Sequence, residues 1–233
     1  MHLFYTPDIS PDYYSLSEEE SKHCIRVLRL QNGHEVSLID GRGGFYTAMI
    51  LDAHPKKTLL KITDTQKDFG KRNHYLHIAV APTKNIERTE WFLEKATEIG
   101  IDEVTLLITD RSERKDVKPE RLNKVITSAV KQSIKAYHPI LNEPVSFKKF
   151  IKEGHQQEKY IAHCIEGSKG SLKEEISLQS SYLVMIGPEG DFTPSEVNLA
   201  LDAGFKPISL GDSRLRTETA ALEACFEINF LNR

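Results

Sequence analysis

Several absences narrow the kind of protein this chain can be. Only three cysteines occur among 233 residues, Cys24, Cys164 and Cys225, and none belongs to a C-x-x-C pair. Their odd number and wide spacing are typical of reduced thiols and argue against a disulfide framework or a zinc site. No apolar run approaches the roughly 18 residues of a membrane span, and the N-terminal residues lack the basic and apolar regions of a signal peptide. We therefore expect a cytoplasmic protein with no membrane partner and no metal.

Two common nucleotide-binding motifs are missing as well. Neither G-x-G-x-x-G nor G-x-x-x-x-G-K-[ST] occurs, which excludes an ordinary dinucleotide-binding or P-loop protein on the motif itself. The net charge of −3 gives no general attraction to a polyanion. Residues 111–135 nevertheless carry eight basic and three acidic side chains, a local charge of +5. A solvated helix face and a phosphate-binding patch are both typical sources of such a run.

The composition predicts a globular chain of one large or two small domains, since 39% of the residues are hydrophobic and 28% are charged. A capping box beginning at Ser17 opens a short helix. Short β-branched or aromatic runs then follow at 35–40, 45–51 and 58–63, and the glycines of 41–44 indicate a hairpin between the first two. Short strands joined by glycine turns favour a small β-barrel or sandwich in this part of the chain.

The pattern changes after a polar linker at 66–73. Helical periodicity predicts helices over 86–99, 119–135 and 194–203 and one from Thr217, while a polar loop occupies 154–157. Buried strands are expected at 75–81, 103–108, 160–164, 182–187 and 207–210. Strands that alternate with helices indicate an α/β domain, here with five strands.

The most informative stretch is 182–222, where two predicted strands each end in a glycine turn. The first turn is Gly187-Pro188-Glu189-Gly190 and the second is Leu210-Gly211-Asp212. Loops at the carboxyl ends of strands are where open α/β sheets bind ligands, and glycine lets the backbone approach a ligand closely. The pattern alone indicates a site for a ligand of cofactor size, and glycine turns that bind nothing remain the alternative.

Two segments of this stretch, GPEGDFTPSEV and LGDSRLRTETAAL, resemble the C-terminal half of the SPOUT class of methyltransferases. Together with HCIRVLRL, KATEIGIDEV and RSER, they are similar to the bacterial enzymes that methylate N3 of a uridine in 16S ribosomal RNA of the small subunit. The resemblance covers nearly the whole chain. It implies an RNA-binding, PUA-like β-barrel over 1–72 and, over 73–233, an α/β domain with a mostly parallel sheet tied in a trefoil knot. It also implies S-adenosylmethionine as cofactor, ribosomal RNA as partner and a homodimer.

The resemblance assigns the cofactor site to the two glycine loops, the helix that follows them and, more loosely, the loop after the third α/β strand. Apolar side chains and backbone groups are expected around the adenine, because a neutral ring needs shape rather than charge. The implied cofactor-binding residues are Glu166, Gly187, Pro188, Glu189, Gly190, Leu210, Gly211, Leu215, Arg216, Thr219 and Ala220.

The chemistry requires help with a proton, because N3 of uracil is a weakly acidic imide. Arg216 is predicted to position or stabilise the uracil anion, since it leaves the cofactor loop and is always charged. Glu218 is the candidate base. A helix N-terminus favours its charged form, so an ordinary role in starting the helix explains Glu218 equally well.

Holding RNA requires cations on more than one element. Arg26, Arg29, Arg111 and Arg114 are the candidates, with Gln132 of the second α/β helix, although arginines of this kind also serve in ordinary salt bridges. Related sequences usually place an acid before this glutamine and an arginine after it. Lys131 and Lys135 flank Gln132 here, which is a departure from the pattern of the family.

Two rival functions stay open at this point. A non-catalytic RNA-binding protein would keep the barrel and the basic segment, although the intact GPEG and LRTETA loops argue against that loss of activity. A knotted methyltransferase acting on another RNA position, such as a ribose 2′-hydroxyl, is the other rival. The N-terminal barrel favours the uridine-base enzyme.

Overall fold

The computed structural model describes residues 2–153, 158–167 and 169–233. The polar loop predicted at 154–157 lies outside the described residues. The chain divides into two compact units, of which the first comprises Met1–Lys71 and Val130–His138 and the second comprises Arg72–Ala129 and Pro139–Arg233. Within the described ranges, no helix is long and apolar enough to cross a membrane.

The first unit contains one mixed five-stranded sheet. Strand β1 pairs with β3 in parallel, the other pairs are antiparallel, and the order across the sheet is β1-β3-β4-β5-β2. Helix α1 (Glu18–Lys22) leads directly into a π-helical turn, His23–Val27. The strands are β1 (Leu3–Tyr5), β2 (Tyr13–Ser15), β3 (Glu35–Ile39), β4 (Phe45–Asp52) and β5 (Leu59–Gln66).

The predicted hairpin between β3 and β4 is confirmed, and it also receives a distant part of the chain. The Asp40 carboxylate accepts hydrogen bonds from the backbone N–H of Arg42 (2.7 Å) and of Gly44 (2.9 Å). Gly43 has a φ of +98°, and a Cβ there would overlap the Tyr137 side chain. Its N–H donates to the carbonyl of Ala136 (2.9 Å), and residues 130–138, which are the end of the second α/β helix and the segment after it, group with the first unit.

The second unit is an α/β domain built on a parallel sheet of seven strands, in the order β10-β12-β9-β11-β6-β7-β8. Its strands are β6 (Tyr75–Val80), β7 (Glu103–Ile108), β8 (Ile140–Ser146), β9 (Glu158–Ala162), β10 (Gly170–Ser171), β11 (Ser181–Ile186) and β12 (Lys206–Ser209). The helices that accompany them are α2 (Ile86–Ile99), α3 (Pro119–Gln132), α4 (Phe147–Phe150), α5 (Leu172–Glu175), α6 (Pro194–Asp202) and α7 (Thr217–Leu231).

The centre of this sheet is its most apolar part, because β6 and β11 are covered on both faces. One face packs a cluster that includes Leu183, Met185, Phe147 and Phe192. Helix α6 begins with the predicted capping box, in which the Thr193 hydroxyl accepts from the Glu196 N–H (3.2 Å) and the Glu196 carboxylate accepts from the Thr193 N–H (2.8 Å).

The prediction of five α/β strands was wrong by two. Strand β8 reads ILNEPVS and lies at the edge of the sheet, where half-exposed polar residues and a proline are tolerated, so it lacks the apolar run of a central strand. Strand β10 has only two residues. Helix α3 ends at Gln132 rather than 135, and β5 extends to Gln66 at the start of the predicted linker.

Candidate active site

A cavity of about 870 Å³ opens at the carboxyl ends of β9, β11 and β12 in the second unit. Its lining comes from 162–165, Lys169, 186–191, 208–217 and Ala220. The position at strand ends is the one that open α/β sheets use for ligands, and the volume lies in the usual range of about 300–1,000 Å³ for small-molecule sites. Both glycine loops singled out in the sequence therefore form walls of the same cavity.

The first wall is the turn at 187–190, which rests on a buried aromatic ring. Phe192 is fully buried, and a Cβ on Gly187 would lie 3.1 Å from its ring. On the other side of the turn, the Thr217 hydroxyl donates to the Gly187 carbonyl (3.0 Å). The Glu189 carboxylate accepts from the Lys84 N–H (3.0 Å). The turn is therefore fixed by side chains from several elements and not by its own residues alone.

Asp191 joins this wall to the loop after β9. It has a φ of +62°, a left-handed conformation that is uncommon for a residue other than glycine. Its carboxylate accepts from the N–H of Cys164 (2.8 Å) through one oxygen and from that of Phe192 (2.8 Å) through the other. These two bonds hold the left-handed turn against the loop that forms the third wall.

The second wall, 208–217, carries the free positive charge of the cavity. Gly211 has a φ of +105° with no heavy atom within 4 Å of a Cβ built there, so the backbone is turned toward open space. Arg214 and Arg216 are exposed and line the cavity. Arg216 is the N-cap residue of α7, and its exposed side chain has no hydrogen bond or ion pair among the described residues, so its guanidinium is open to a ligand.

The third wall contains a histidine and a lysine that the sequence patterns did not single out. The Lys169 ammonium donates to the carbonyls of His163 (2.9 Å) and Ile165 (3.0 Å), which closes this loop on itself. His163 Nδ1 is buried and has no hydrogen-bond partner among the described residues. Burial, and then the charge of Lys169, lower the pKa of His163 below its ordinary value of 6.5.

A titration of His163 tests this environment. Because the pKa is lowered in the folded state, protonation opposes folding, so the stability that neutral His163 provides is present above pH 6.5 and is lost as the pH falls through the lower pKa of the folded protein. We expect the imidazole carbon-bound protons to titrate with a midpoint below pH 6.5 in NMR spectra, with the signal assigned from a His163→Gln variant. A midpoint at or above the ordinary value would contradict this description.

Glu218 lies apart from the cavity. Its side chain is almost wholly buried and faces α2, where one carboxylate oxygen is 3.8 Å from Arg88 Nε. The other oxygen is buried without a hydrogen-bond partner among the described residues. Glu218 is not among the cavity-lining residues. A direct role as the base in this site therefore receives no support from the geometry, and it stays a prediction.

The cavity gathers most, but not all, of the residues expected at a cofactor site. Glu166 and Thr219 do not line it. Arg214 lies within the glycine loop itself, where its charge was a usable signal, whereas His163 and Lys169 belong to a loop that the resemblance matched only loosely. The expected residues that line the cavity are Gly187, Pro188, Glu189, Gly190, Leu210, Gly211, Leu215, Arg216 and Ala220.

The five expected RNA contacts differ in their surroundings. Arg26, Arg29 and Gln132 belong to the first unit and are exposed. Arg111 and Arg114 belong to the second unit and donate hydrogen bonds to backbone carbonyls, so their guanidinium groups have structural partners. Assignment of all five to RNA binding stays a prediction.

Lys131, which departs from the family pattern beside Gln132, also has a partner. Its ammonium lies 2.8 Å from the Glu20 carboxylate of α1, and both residues are part of the first unit. Each of the two side chains is about three-quarters buried. The departure is therefore accommodated by a pairing within the first unit.

Comparison with known proteins matches both parts of the chain. A family model described as an RNA methyltransferase domain matches residues 71–229, and one described as an RNA methyltransferase PUA domain matches residues 16–63. A ribosomal RNA small subunit methyltransferase E of Synechocystis sp. is 30% identical over 224 residues, which are 93% of this chain and 73% of that protein.

Solved structures extend the likeness to the whole fold. A "probable rRNA-methyltransferase" from Porphyromonas gingivalis has a TM-score of 0.93 and 42% identity, covering 100% of this chain and 98% of that one. A ribosomal RNA small subunit methyltransferase E from Neisseria gonorrhoeae, solved with S-adenosylmethionine bound, has a TM-score of 0.89 and 25% identity, covering 99% of this chain and 98% of that one.

These matches confirm the predicted fold class, a PUA-like β-rich unit followed by an α/β RNA methyltransferase domain built on a parallel sheet. The family model spans more than half of the chain, and it includes every residue that lines the cavity. The chain therefore belongs to the RNA methyltransferase family that includes the ribosomal RNA small subunit methyltransferases E.

Proposed function

We propose that this protein transfers a methyl group from S-adenosylmethionine to N3 of a uridine in 16S ribosomal RNA of the small subunit. The observation that carries the proposal is the cavity in which the turn at 187–190 and the loop at 210–216 face each other. Both loops are intact in the sequence, and two relatives that match 93% of this chain are named ribosomal RNA small subunit methyltransferase E. We place the activity in the cytoplasm, where ribosomal RNA is found in bacteria.

The residues of the cavity fit S-adenosylmethionine. The walls supply apolar side chains and open backbone around the glycines, which suits a neutral adenine ring that is recognised by shape and a few hydrogen bonds. The cavity has room for a cofactor of this size. We assign its contacts to the two glycine loops and Ala220, with Glu166 and Thr219 as outer positions. The apolar side chains are those of Ile165, Ile186, Pro188, Ile208, Leu210, Leu215 and Ala220.

When it is bound, the cofactor supplies a sulfonium methyl group that a nucleophile displaces in line. The protein must then hold the uracil so that N3 lies behind that methyl group. Arg216 lines the cavity, is exposed and is always charged, so it is our candidate for stabilising the uracil anion as the N3 proton leaves. We assign the departing proton to solvent at the cavity, because Glu218 is not among the lining residues.

RNA binding is assigned mainly to the first unit. In the first unit, the exposed Arg26 and Arg29 offer cations to phosphates, and Gln132 offers an amide. This assignment gives the PUA-like region over 1–72 the role of holding RNA while residues 73–233 carry the transfer. Arg111 and Arg114, the sequence candidates in the second unit, both donate to backbone carbonyls, so we do not assign them a primary RNA contact.

We propose a homodimer, formed through the outer face of α7. Phe226 and Phe230 are 43% and 57% exposed, and their rings stack with centroids 5.9 Å apart. Trp91 on the neighbouring α2 is 42% exposed. Large aromatic rings grouped on a surface are typical of an interface between proteins.

A double variant, Phe226→Ser with Phe230→Ser, is expected to convert the dimer to a monomer, because it removes the apolar area that a partner would bury. Light scattering after size exclusion measures the mass directly. Leu178→Ser is the matched control, since Leu178 is 63% exposed and lies outside α7. A monomeric wild-type protein, or a dimer that survives the double substitution, would refute this interface.

The activity is tested by deleting the gene in its host and mapping modified nucleosides in ribosomal RNA by mass spectrometry. We expect one 3-methyluridine to disappear from 16S ribosomal RNA and to return when the wild-type gene is restored. Loss of a 2′-O-methyl group instead would assign the enzyme to a ribose target. If no methyl group disappears and the purified protein does not bind S-adenosylmethionine, the enzymatic proposal fails.

A further inference from the structure

Three loops of the second unit are tied to one another behind the glycine turn at 187–190. They are 83–84 after β6, 110–114 after β7 and 189–192 after β11, and their strands are neighbours in the sheet. The Glu189 carboxylate accepts from the Lys84 N–H (3.0 Å), which joins the first loop to the third. The other two connections of this triangle are made by arginines of the middle loop.

Arg111 makes the connection to the glycine turn. Its Nη1 donates to the Gly190 carbonyl (2.8 Å) and, at 3.4 Å, to that of Phe192. A Cβ placed on Gly190 would lie 3.4 Å from the Arg111 Cβ, so the stem of the arginine also packs against the turn. The two carbonyls flank Asp191, the residue held at a φ of +62°.

Arg114 makes the connection to the loop after β6. Its Nε donates to the carbonyls of Thr83 (3.2 Å) and Lys84 (3.1 Å), and its Nη2 donates to that of Lys84 (2.7 Å). The middle loop is itself anchored, because the Asp110 N–H donates to the buried Glu196 carboxylate (2.9 Å). The triangle is therefore closed on all three sides and attached to α6.

The glycine turn has one side in the cavity and the other side on this triangle. Residues 187–191 all line the cavity, yet two of the residues that fix them, Lys84 and Arg111, are not among its lining residues. A left-handed aspartate tends to relax when its neighbours are released, because the conformation costs free energy that surrounding contacts must offset. Whatever holds the Gly190 and Phe192 carbonyls consequently sets the shape of the cofactor wall.

We infer that Arg111, supported by Arg114, is a positioning residue for the cofactor wall, and that its main role is to fix the glycine turn for S-adenosylmethionine rather than to contact RNA. The inference rests on the proposed function, because it names the cofactor of that same cavity. It separates Arg111 and Arg114 of the RSER segment from the rest of the basic run at 111–135.

The test measures S-adenosylmethionine binding by titration calorimetry on the full-length protein without RNA. Loss of a charged donor to two carbonyls is expected to weaken cofactor binding by about tenfold in Arg111→Ala. The KM for the cofactor should rise by a similar factor, while kcat at saturating cofactor and the affinity for RNA stay near the wild-type values. Arg111→Lys, which keeps one donor, should recover part of the loss.

Lys115→Ala is the matched control, because it removes the same charge from the same segment at an exposed residue with no bond to the turn. Its cofactor affinity should equal that of the wild type. The opposite result would be unchanged cofactor affinity in Arg111→Ala together with weaker RNA binding. If the slope of log RNA affinity against log salt concentration also became shallower by about one, the inference would be overturned and Arg111 would be a phosphate contact.

Two further results are also decisive. If Arg111→Ala does not fold, Arg114→Ala is measured in its place. Weakened cofactor binding in Arg114→Ala then supports the inference, and unchanged binding overturns it. Absence of cofactor binding by the wild-type protein would instead overturn the proposed function, a result that is distinguishable from every result with the variants.

Discussion

Replacing Arg216 by alanine is expected to lower kcat for methyl transfer by about 100- to 1,000-fold, the usual loss when one group that stabilises developing negative charge is removed. The physical reason is that an always-charged guanidinium at the cavity is our only assigned stabiliser of the uracil anion. Transfer of a labelled methyl group to ribosomal RNA measures the effect. Thermal unfolding should change little, because Arg216 is exposed and caps α7 without a side-chain bond.

Two controls define the role of Arg216. Arg216→Lys keeps the charge but loses the planar fork of donors, so we expect a partial recovery of kcat. Lys57→Ala removes an exposed positive charge in the first unit, far along the chain from the cavity loops, and should leave transfer at the wild-type rate. Wild-type activity in Arg216→Ala would remove this residue from the mechanism.

Replacing Phe192 by alanine is expected to reduce the free energy of unfolding by about 3–5 kcal/mol, as truncation of a buried phenylalanine usually does. The ring is fully buried, and its centroid lies 5.7 Å from that of the Phe147 ring. It also packs closely against Gly187. The loss should appear in urea unfolding without cofactor. Because the cavity wall rests on this ring, cofactor affinity should fall as well.

Leu178→Ala provides the comparison for Phe192→Ala, since Leu178 is 63% exposed and its truncation should change stability by less than about 0.5 kcal/mol. A loss below about 1 kcal/mol in Phe192→Ala would mean that the neighbouring side chains collapse into the space. In that case the ring does not determine the shape of the turn.

Local signals in the sequence predicted most elements of the second unit. The capping box at Thr193 and the glycine at the end of α2 depend on residues only a few positions apart, so both can be recognised in the sequence. The central strands are recognisable because burial on both faces requires continuous apolar runs. The edge strand β8 was missed for the converse reason, since one exposed edge relaxes that requirement.

The end of α7 illustrates what periodicity does not reveal. Asn229 is a buried polar residue of α7, and its amide nitrogen donates to the Gly100 carbonyl (2.7 Å) while its oxygen accepts from Arg72 (3.1 Å). The orphan carbonyl at the end of α2 is thereby satisfied by a residue 129 positions away. No pattern within α7 or α2 indicates that pairing.

The sequence by itself located the two glycine loops that line the cavity, because glycine turns, caps and strand runs act over a few residues, and its motifs carried the resemblance to the family that the comparisons show. Only the tertiary structure decided which side chains outside the cavity hold its loops in place. Arg111 and Gly190 are 79 positions apart, and Asp110 and Glu196 are 86 apart. Such pairs form where the fold brings the ends of neighbouring strands together, and that proximity leaves no periodic trace in the chain.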